Sequence, residues 1–231
     1  MRIVVLTGAG ISAESGLGTF RDKDGLWTRV DLNQVATPEG YRRDPALVLD
    51  FYNMRRQGVV DAQPNAAHRA LARLEERLGD RLTLVTQNVD DLHERGGSAR
   101  VIHMHGELLS ALCAACAHRW PWPGAMSTED ACPACAAAGA VRPDVVWFGE
   151  MPYRMEEIYA RIAEADLFAA IGTSGQVYPA AGFVMDARAN GTETIEINLE
   201  QTDSSGLFDR HVIGPASEAV PAWVDEVLAA L

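Results

Sequence analysis

Four cysteines form two Cys-x-x-Cys pairs, Cys113 with Cys116 and Cys132 with Cys135. Each pair can aim two thiolates at one point, and the fifteen residues between the pairs are typical of a structural zinc site. Two disulfides or a redox-active pair are the alternatives, but no secretory signal precedes them, which favours a reducing compartment. We therefore predict that all four thiolates bind one zinc ion, a closed shell that leaves no position for substrate.

A glycine-rich turn at residues 8–13 follows an apolar run and has the pattern Gly-x-Gly-x-x-Ala. Between a strand and a helix, this pattern predicts a dinucleotide site, because glycine lets backbone amides approach a pyrophosphate. A P-loop is excluded, since no Gly-Lys-Ser or Gly-Lys-Thr follows. An ordinary dehydrogenase would place an acidic residue at the end of the second strand. Asp22 and Asp24 lie instead in a polar loop, residues 19–25, which we expect to be a mobile cover over the cofactor.

Three more polar loops follow predicted strands, at residues 87–90, 172–175 and 198–200. Open α/β sheets bind ligands at the carboxyl ends of their strands, so these loops are candidate parts of one site. Asn88 and Asp90 could equally cap a following helix, because both residue types are preferred N-caps. The loop at 198–200 offers an amide and a carboxylate suited to ribose hydroxyls.

The elements that must position these loops are short β-type runs that alternate with longer helical patterns. The predicted strands are residues 3–7, 82–86, 101–105, 145–148, 167–171 and 194–198. Amphipathic helices are predicted over residues 66–78 and 155–165. This alternation predicts an α/β fold with a Rossmann-like parallel sheet covered by helices.

Two insertions interrupt the alternation and predict a smaller lobe. Residues 31–61 have no strand pattern, and Pro45 begins a helix that we expect Gly58 to end. Residues 107–145 carry the cysteines and predict a zinc ribbon that the metal staples together. The Rossmann-like domain would then comprise residues 1–30, 62–106 and 146–231.

Composition and charge limit the partners. The 231 residues are 48% hydrophobic and 23% charged, as is typical of a globular protein. A net charge of −12 disfavours nucleic acid, because phosphate binding rests on clustered Lys and Arg. No apolar run approaches the length of a membrane span. We expect a cytoplasmic monomer that acts on neither nucleic acid nor membranes.

The order of these motifs resembles that of the sirtuins, NAD-dependent protein-lysine deacylases, over almost the whole chain. Besides the four cysteines, the matching segments are Gly8-Ala9-Gly10-Ile11-Ser12, Thr19-Phe20-Arg21, Gln87-Asn88-Val89-Asp90, His105-Gly106, Phe148-Gly149-Glu150, Gly172-Thr173-Ser174 and Asn198-Leu199-Glu200. Val89 stands where the family usually has isoleucine, and His103 where many members have glutamate. Neither change removes a reacting group.

The resemblance implies that NAD lies across the sheet, with its pyrophosphate on the glycine turn. The implied cofactor-binding residues are Gly8, Ala9, Gly10, Ser12, Ala13, Thr19, Phe20, Arg21, Trp27, Gln87, Asn88, Val89, Asp90, Gly172, Thr173, Ser174, Asn198, Leu199, Glu200 and Ala216. The implied catalytic residues are His105 and Asn88, with a neutral His105 as the general base on a ribose hydroxyl. The products would be nicotinamide, O-acyl-ADP-ribose and deacylated lysine.

The resemblance, more than the sequence alone, selects His105 among six histidines. Position before Gly106 is its one distinguishing feature. We expect His68 to be packed or capping and His93 to face solvent, and His211 has no predicted role.

Tyr52 and Arg55 match the Tyr-x-x-Arg signature of the sirtuins that remove succinyl and malonyl groups. Residues three apart share a helix face, so the hydroxyl and the guanidinium can converge on one distal carboxylate. Acetyl-lysine carries no such carboxylate, and the small Ala13 is compatible with the larger acyl group. The alternative is that Arg55 and Arg56 form a solvated basic face, with Tyr52 in the core.

The resemblance also implies that the acyl-lysine peptide binds as an extended strand between residues 146–150 and 172–177, in contact with Val146 and Phe148. Trp147 could contact substrate or belong to the core.

Three other functions are alternatives to deacylation. A mono-ADP-ribosyltransferase would use the same NAD site but label protein. A zinc-ribbon module for nucleic acid would need a basic patch. Between the two cysteine pairs, however, the basic candidates His118 and Arg119 are balanced by the acidic Glu129 and Asp130. A protein like alcohol dehydrogenase would need a longer chain and a second, catalytic metal site.

Overall fold

The computed structural model describes residues 1–18 and 31–231. The predicted cofactor-binding residues Thr19, Phe20, Arg21 and Trp27, and the predicted cover loop, lie outside them. The strands are β1 (Ile3–Thr7), β2 (Leu82–Thr86), β3 (Val101–His103), β4 (Gly106–Cys113), β5 (Arg119–Pro121), β6 (Val141–Val145), β7 (Leu167–Ile171), β8 (Glu193–Asn198) and β9 (Arg210–Ile213). The described helices are α1 (Leu32–Val35), α2 (Pro38–Arg43), α3 (Pro45–Asp61), α4 (Ala66–Leu78), α5 (Leu92–Arg95), α6 (Met155–Ala163), α7 (Phe183–Ala189) and α8 (Ala216–Ala229). None of these helices combines the length and the apolar character needed to cross a bilayer.

Six parallel strands form the main sheet in the order β3-β2-β1-β7-β8-β9. The chain moves outward from β1 to β3 and later returns to β7, beside β1. This reversal is a topological switch point, where the loops after β1 and β7 diverge and leave a crevice for ligands. The predicted α/β fold with a Rossmann-like parallel sheet is therefore confirmed.

Both faces of this sheet are covered. Every residue of β1 is buried, with Ile3 and Val5 packed toward α4 and α8, and Val4 and Leu6 toward α6 and α7. A strand buried on both sides needs apolar residues at consecutive positions, which is why β1 has no polar alternation. We call this sheet with α4 to α8 the large lobe.

The helices α1 to α3 and the antiparallel sheet β5-β4-β6 form what we call the small lobe. Asn53 on α3 bonds to the backbone of Met126 in both directions, at 2.8 Å each. The fully buried Arg56 donates to the Leu108 carbonyl on β4 and to the Asn53 side chain. These bonds join the helical insertion to the cysteine-bearing segment, as a single lobe requires. The residue boundaries assigned to the domains from the sequence stay a prediction.

The predicted parallel strand at residues 145–148 is wrong. The strand there, β6, ends at Val145 and pairs antiparallel with β4 in the small lobe. Beyond it the backbone amides bond to separate partners, Val146 to the His105 carbonyl and Phe148 to the Ala36 carbonyl. An apolar run can predict burial, but it does not show which strand the backbone pairs with. Here successive amides bond to separate loops instead of to one neighbouring strand.

Other element boundaries also differ from prediction. The predicted strand 101–105 ends at His103, and the helix that begins at Pro45 passes Gly58 and continues to Asp61, because Val59 is buried and extends its apolar face. The turn at residues 8–13 leads into two short 3₁₀ helices, where we expected the N-terminus of an α-helix. The strand β9, at the edge of the six-stranded parallel sheet, was not predicted.

Candidate active site

A cavity of about 700 Å³ lies where the two lobes meet, at the carboxyl ends of β1, β2, β7 and β8. Its walls contain every described residue that the sequence assigned to a cofactor, a substrate or catalysis. These are Gly8, Ala9, Gly10, Ser12, Ala13, Tyr52, Arg55, Gln87, Asn88, Val89, Asp90, His105, Val146, Phe148, Gly172, Thr173, Ser174, Asn198, Leu199, Glu200 and Ala216. Residues from nearly the whole length of the chain thus converge on one site, while their individual roles stay predictions.

The floor of the cavity is made of backbone. The amide of Gly10 donates to the Gly172 carbonyl at 2.8 Å, which joins the loops after β1 and β7. A Cβ atom added to Gly10 would lie 2.7 Å from Cα of Gly172, and one added to Gly172 would lie 2.5 Å from the amide nitrogen of Ile11. Glycine is therefore required at these positions by the packing of the two loops, in addition to any need for a ligand to approach the backbone.

The Ser12 hydroxyl is the centre of a buried hydrogen-bond network. It accepts from Nδ2 of Asn88 at 3.2 Å and donates to Oδ2 of Asp90 at 3.2 Å. Nε2 of His68 lies 3.4 Å away, and the His68 Nδ1 accepts the amide of Asn65 at 3.3 Å. Because Nδ1 accepts, the proton of a neutral His68 is on Nε2 and points to Ser12. The network holds the Asn88 and Asp90 side chains in fixed orientations.

Asp90 and Asn88 differ in the helix-capping role that the sequence left open. Oδ1 of Asp90 accepts the Leu92 amide at 3.1 Å, in the turn that leads into α5, but the N-cap residue of that helix is Asp91. The Asn88 side chain bonds to the Gly8 carbonyl and to Ser12 instead. Burial raises the pKa of Asp90, and its bonds from Leu92 and Ser12 partly offset this effect.

His105 lies in the turn between β3 and β4, and its ring faces the cavity. Nδ1 is 3.1 Å from the Gln87 carbonyl oxygen, which can only accept, so this nitrogen carries the proton. Nε2 is then the basic nitrogen. Burial lowers the pKa of His105 below its ordinary value of 6.5, with a smaller opposing effect of the Gln87 bond. The turn depends on Gly106, whose φ is +81° and whose added Cβ would lie 2.0 Å from the Asp144 carbonyl oxygen.

The other histidines have different surroundings. His93, expected to face solvent, is fully buried, with Nε2 3.0 Å from the Thr7 hydroxyl. The helix α5 has only four residues, too few for its apolar pattern to predict which of its faces is buried. His68 both packs and caps α4, as expected. His211 lies 3.4 Å from a carboxylate oxygen of the buried Glu196, away from the cavity walls.

Tyr52 and Arg55 line the cavity from α3, on the small-lobe side. Tyr52 is almost fully buried, and the Arg55 guanidinium carbon lies 5.6 Å from its ring centroid. Burial lowers the pKa of Arg55, while the neighbouring Tyr52 and the charge of Asp90 act in the opposite direction. The alternative of a solvated basic face is wrong for Arg56, which is buried in the small lobe, and for Arg55, which lies in the cavity wall, but it is right that Tyr52 belongs to the core, although Tyr52 also lines the cavity.

The four cysteines meet at the end of the small lobe. Their sulfur atoms all lie within 4.8 Å of one another, with 3.7 Å between Cys113 and Cys135 and 3.7 Å between Cys116 and Cys132. Tetrahedral zinc with Zn–S bonds of about 2.3 Å spaces its sulfurs by about 3.8 Å, whereas a disulfide needs about 2.0 Å. The cluster therefore fits a structural zinc ion. Among residues 1–18 and 31–231 it is the one group of three or more His, Cys, Asp or Glu side chains that could hold a metal ion.

Sequence reasoning missed several residues of the cavity wall. Met54 and Tyr178 are exposed and line the cavity, and Glu14 lines it while accepting from the amide and hydroxyl of Ser217 on α8. Met54 lies between Tyr52 and Arg55 in sequence, a signal that could have identified it. The contact between Glu14 and Ser217 spans 203 positions and leaves no local pattern.

Comparison with known proteins places these features in one family. The Sir2 family pattern matches residues 8–179. Over its full length the chain is 59% identical to an NAD-dependent protein deacylase of Caulobacter vibrioides, of which it covers 98%, and 54% identical to an NAD-dependent protein deacylase of Escherichia coli strain K12, of which it covers 83%.

Solved structures agree with this match. The chain superposes on a Sir2 homologue variant in complex with ADP-ribose with a TM-score of 0.91 at 40% identity, covering 99% of this chain and 92% of that one. For a Sir2 homologue in complex with NAD the TM-score is 0.89 at 41% identity, with 99% and 90% covered. For a complex of Sir2 with a p53 peptide and NAD⁺ the values are 0.78 and 28%, with 99% and 92% covered. The fold, the cavity and these matches together show that the chain belongs to the Sir2 family.

Proposed function

We propose that this protein is an NAD-dependent protein-lysine deacylase that removes succinyl and malonyl groups in preference to acetyl. The observation that carries the proposal is that Tyr52 and Arg55 line the same cavity as His105. The relatives named NAD-dependent protein deacylase, at 59% and 54% identity, support the reaction class. The acyl preference is supported by the charge and the hydrogen-bond donors of the small-lobe wall.

The residues around the backbone floor would hold NAD. The close packing at Gly8, Gly10 and Gly172 keeps side chains away from a pyrophosphate, while Asn198 and Glu200 supply groups that bond to ribose hydroxyls. NAD would supply a ribose carbon that can be attacked, with nicotinamide as the leaving group. Structures of Sir2 homologues with NAD and with ADP-ribose support this placement.

His105 acts as the general base. Its lowered pKa keeps the ring neutral at neutral pH, and its bond to Gln87 leaves Nε2 to accept a proton from a ribose hydroxyl. We expect the low-pH limb of the kcat/KM profile to lie below pH 6.5, because the base is lost only as the pH falls through its lowered pKa. The Ser12 network holds Asn88 beside the same cavity.

The distal carboxylate of the acyl group would bind Tyr52 and Arg55. Arginine offers a planar pair of donors that a carboxylate can accept, and both residues lie in a wall of low polarity where such a bond is strong. An acetyl group ends in a methyl and makes neither bond. A neutral acyl group would therefore bind without the hydrogen bonds from Tyr52 and Arg55.

The peptide would bind along residues 146–150. The amides of Val146, Trp147 and Phe148 already donate to His105, Glu150 and Ala36. An extended peptide must therefore use the carbonyl oxygens of this segment as partners for its own N–H groups. Main-chain bonds of this kind carry little side-chain information, so we expect many lysine-containing proteins to be substrates.

The test is a mass-spectrometric assay of matched succinyl-, malonyl- and acetyl-lysine peptides, with and without NAD. Arg55→Met should lower kcat/KM for the two acidic substrates about 10- to 100-fold, the range expected for a lost charged hydrogen bond, and change acetyl removal less than about threefold. Arg42→Met is the matched control, because Arg42 is an exposed arginine on α2 that pairs with Glu39.

Two results would contradict the proposal. Removal of acetyl but never of succinyl would exclude the acyl preference. Consumption of NAD with label transferred to protein, and no deacylated lysine, would favour a mono-ADP-ribosyltransferase instead.

A further inference from the structure

A buried tryptophan bonds directly to the proposed acyl-binding tyrosine. Nε1 of Trp147 donates to the Tyr52 hydroxyl at 2.9 Å, although the two residues are 95 positions apart in the chain. Trp147 is 3% exposed and Tyr52 is 1% exposed, and both contribute to the cavity wall. The bond therefore lies at the boundary between the core of the small lobe and the cavity.

The indole is held rigidly from its other side. The guanidinium carbon of Arg142 lies 3.4 Å from the Trp147 ring centroid, and Arg142 makes two bonds to the carboxylate of Glu150, at 2.6 and 2.9 Å. Oε2 of Glu150 also accepts the backbone amide of Trp147 at 2.9 Å. The ring of Tyr41 packs 5.2 Å away. This packing fixes the direction in which the indole N–H points.

The chemistry of the three groups determines what the Tyr52 hydroxyl can still do. A hydroxyl has one hydrogen to donate and two lone pairs to accept with. An indole N–H can only donate, so the bond from Trp147 engages a lone pair of the Tyr52 hydroxyl, and the Arg55 guanidinium carbon lies 5.6 Å from the centroid of the same ring. Because Trp147 donates to the hydroxyl, the hydroxyl is oriented as an acceptor on that side and retains its hydrogen for a third group.

A carboxylate is the natural third group, because it only accepts. We propose that Trp147 is a positioning residue for acyl selection, which orients the Tyr52 hydroxyl and fixes it as a donor toward a carboxylate-ended acyl group. This inference rests on the proposed deacylase function and extends it to a residue that does not itself contact the carboxylate. An acyl group that ends in a hydrogen-bond donor has no such complement in the Tyr52 hydrogen and the Arg55 guanidinium, which both donate.

The first experiment removes the indole N–H. In Trp147→Phe an aromatic ring still packs against Arg142, but the donor is lost. We expect kcat/KM for the succinyl-lysine peptide to fall about fivefold to tenfold, mainly through KM, as for the loss of one hydrogen bond. Acetyl removal should fall clearly less than succinyl removal, and near-UV circular dichroism should show that the protein is folded.

Two further variants separate positioning from packing. Trp122→Phe is the matched control, because the Trp122 indole also donates, to the Ala125 carbonyl at 3.2 Å, but far from the cavity walls. It should leave the ratio of succinyl to acetyl activity unchanged. Tyr52→Phe should lower that ratio, and adding Trp147→Phe to it should lower the ratio no further, because the indole acts through the hydroxyl.

A spectroscopic measurement needs no substitution of Trp147. The chain has five tryptophans and thus five indole N–H resonances. One of them should shift in Tyr52→Phe and respond to a succinyl-lysine peptide in the wild type, but not to an acetyl-lysine peptide.

The outcomes distinguish this inference from the proposed function. If the wild type prefers succinyl and Arg55→Met loses that preference while Trp147→Phe keeps it, only the role of Trp147 is overturned. Equal losses of succinyl and acetyl activity in Trp147→Phe would also overturn it, since the residue would then be structural. If the wild type shows no succinyl preference, both proposals fail.

Discussion

The two lobes are stabilised in different ways. In the large lobe, strands such as β1 and β7 are buried along their whole length between layers of helices, so apolar area removed from water accounts for the stability. The small lobe has a short three-stranded sheet, a cysteine cluster and a buried arginine that ties α3 to β4. The difference teaches that the large lobe rests on apolar packing, whereas the small lobe, with apolar clusters of its own around Tyr52 and the cysteines, adds a metal cluster and buried polar bonds.

The two neighbouring arginines of α3 show the same contrast at the scale of one residue. Arg55 lines the cavity, and Arg56 points into the small lobe, where it donates to the Leu108 carbonyl and to Asn53. Adjacent positions on α3 thus have different roles, acyl selection for Arg55 and stability of the small lobe for Arg56. The four predictions below test this division, beginning with the largest effect.

Removal of zinc should abolish activity on every acyl substrate. Metal coordination contributes on the order of 10 kcal/mol in small four-ligand zinc sites, far more than the short sheet can supply. Cys132→Ser or a strong chelator should disorder the small lobe, and readdition of zinc should restore the chelated wild type. Zinc content, near-UV circular dichroism and activity are the measurements. A zinc-free protein that keeps its activity would show that the cluster is dispensable.

His105→Ala should lower kcat/KM about 10²- to 10⁴-fold for succinyl and acetyl substrates alike, because a general base serves both. His211→Ala is the matched control, since His211 lies outside the cavity walls. Steady-state assays with both peptides provide the measurement. A loss confined to one acyl group would place His105 among the selecting residues instead.

Acid should destabilise the large lobe through His68. Burial lowers its pKa from 6.5 to about 4, with smaller contributions from Arg69 and Arg95. Between these pH values the unfolded chain binds more protons than the folded one, so stability falls as the pH decreases from 6.5 toward 4. The shift corresponds to about 3 kcal/mol at most. Urea unfolding at several pH values should show a shallower pH slope for His68→Gln, and an unchanged slope would contradict this assignment.

Arg56→Met should lower the free energy of unfolding by about 2 kcal/mol, because it leaves the Leu108 carbonyl and the Asn53 side-chain oxygen without this donor. The ratio of succinyl to acetyl activity should stay unchanged. Chemical denaturation and the peptide assay test the two parts together. A large change in the ratio would show that stability and selection are not separated along α3.

The sequence predicts best what is local. The continuous apolar run at residues 3–6 and the spacing of the cysteines determine their structures almost alone, because burial on both faces and a shared metal each leave a short-range pattern. The run at residues 145–148 shows the limit of such reasoning. Val145 and Trp147 are buried but Phe148 is exposed, and the partner of each backbone amide depends on distant loops.

The candidate site shows the same limit. Many of its described residues could be named from motifs and from the family resemblance, and the structure brings those to one cavity, whose wall also contains Met54, Tyr178 and Glu14. The bond between Trp147 and Tyr52 and the burial of His93 could not be predicted, because each depends on the packing of elements far apart in sequence. The cytoplasmic location and monomeric state expected from composition stay predictions.

The backbone floor at Gly8, Gly10 and Gly172 has a consequence for engineering. Because each added methyl group would strike the opposite loop, substitution there changes the relative position of two strands before it changes any ligand contact. A library that seeks a new nucleotide specificity should therefore leave these three positions fixed and vary the walls. In a deep mutational scan the three glycines should be intolerant under a selection for folding alone, even in cells where the catalytic activity is not needed.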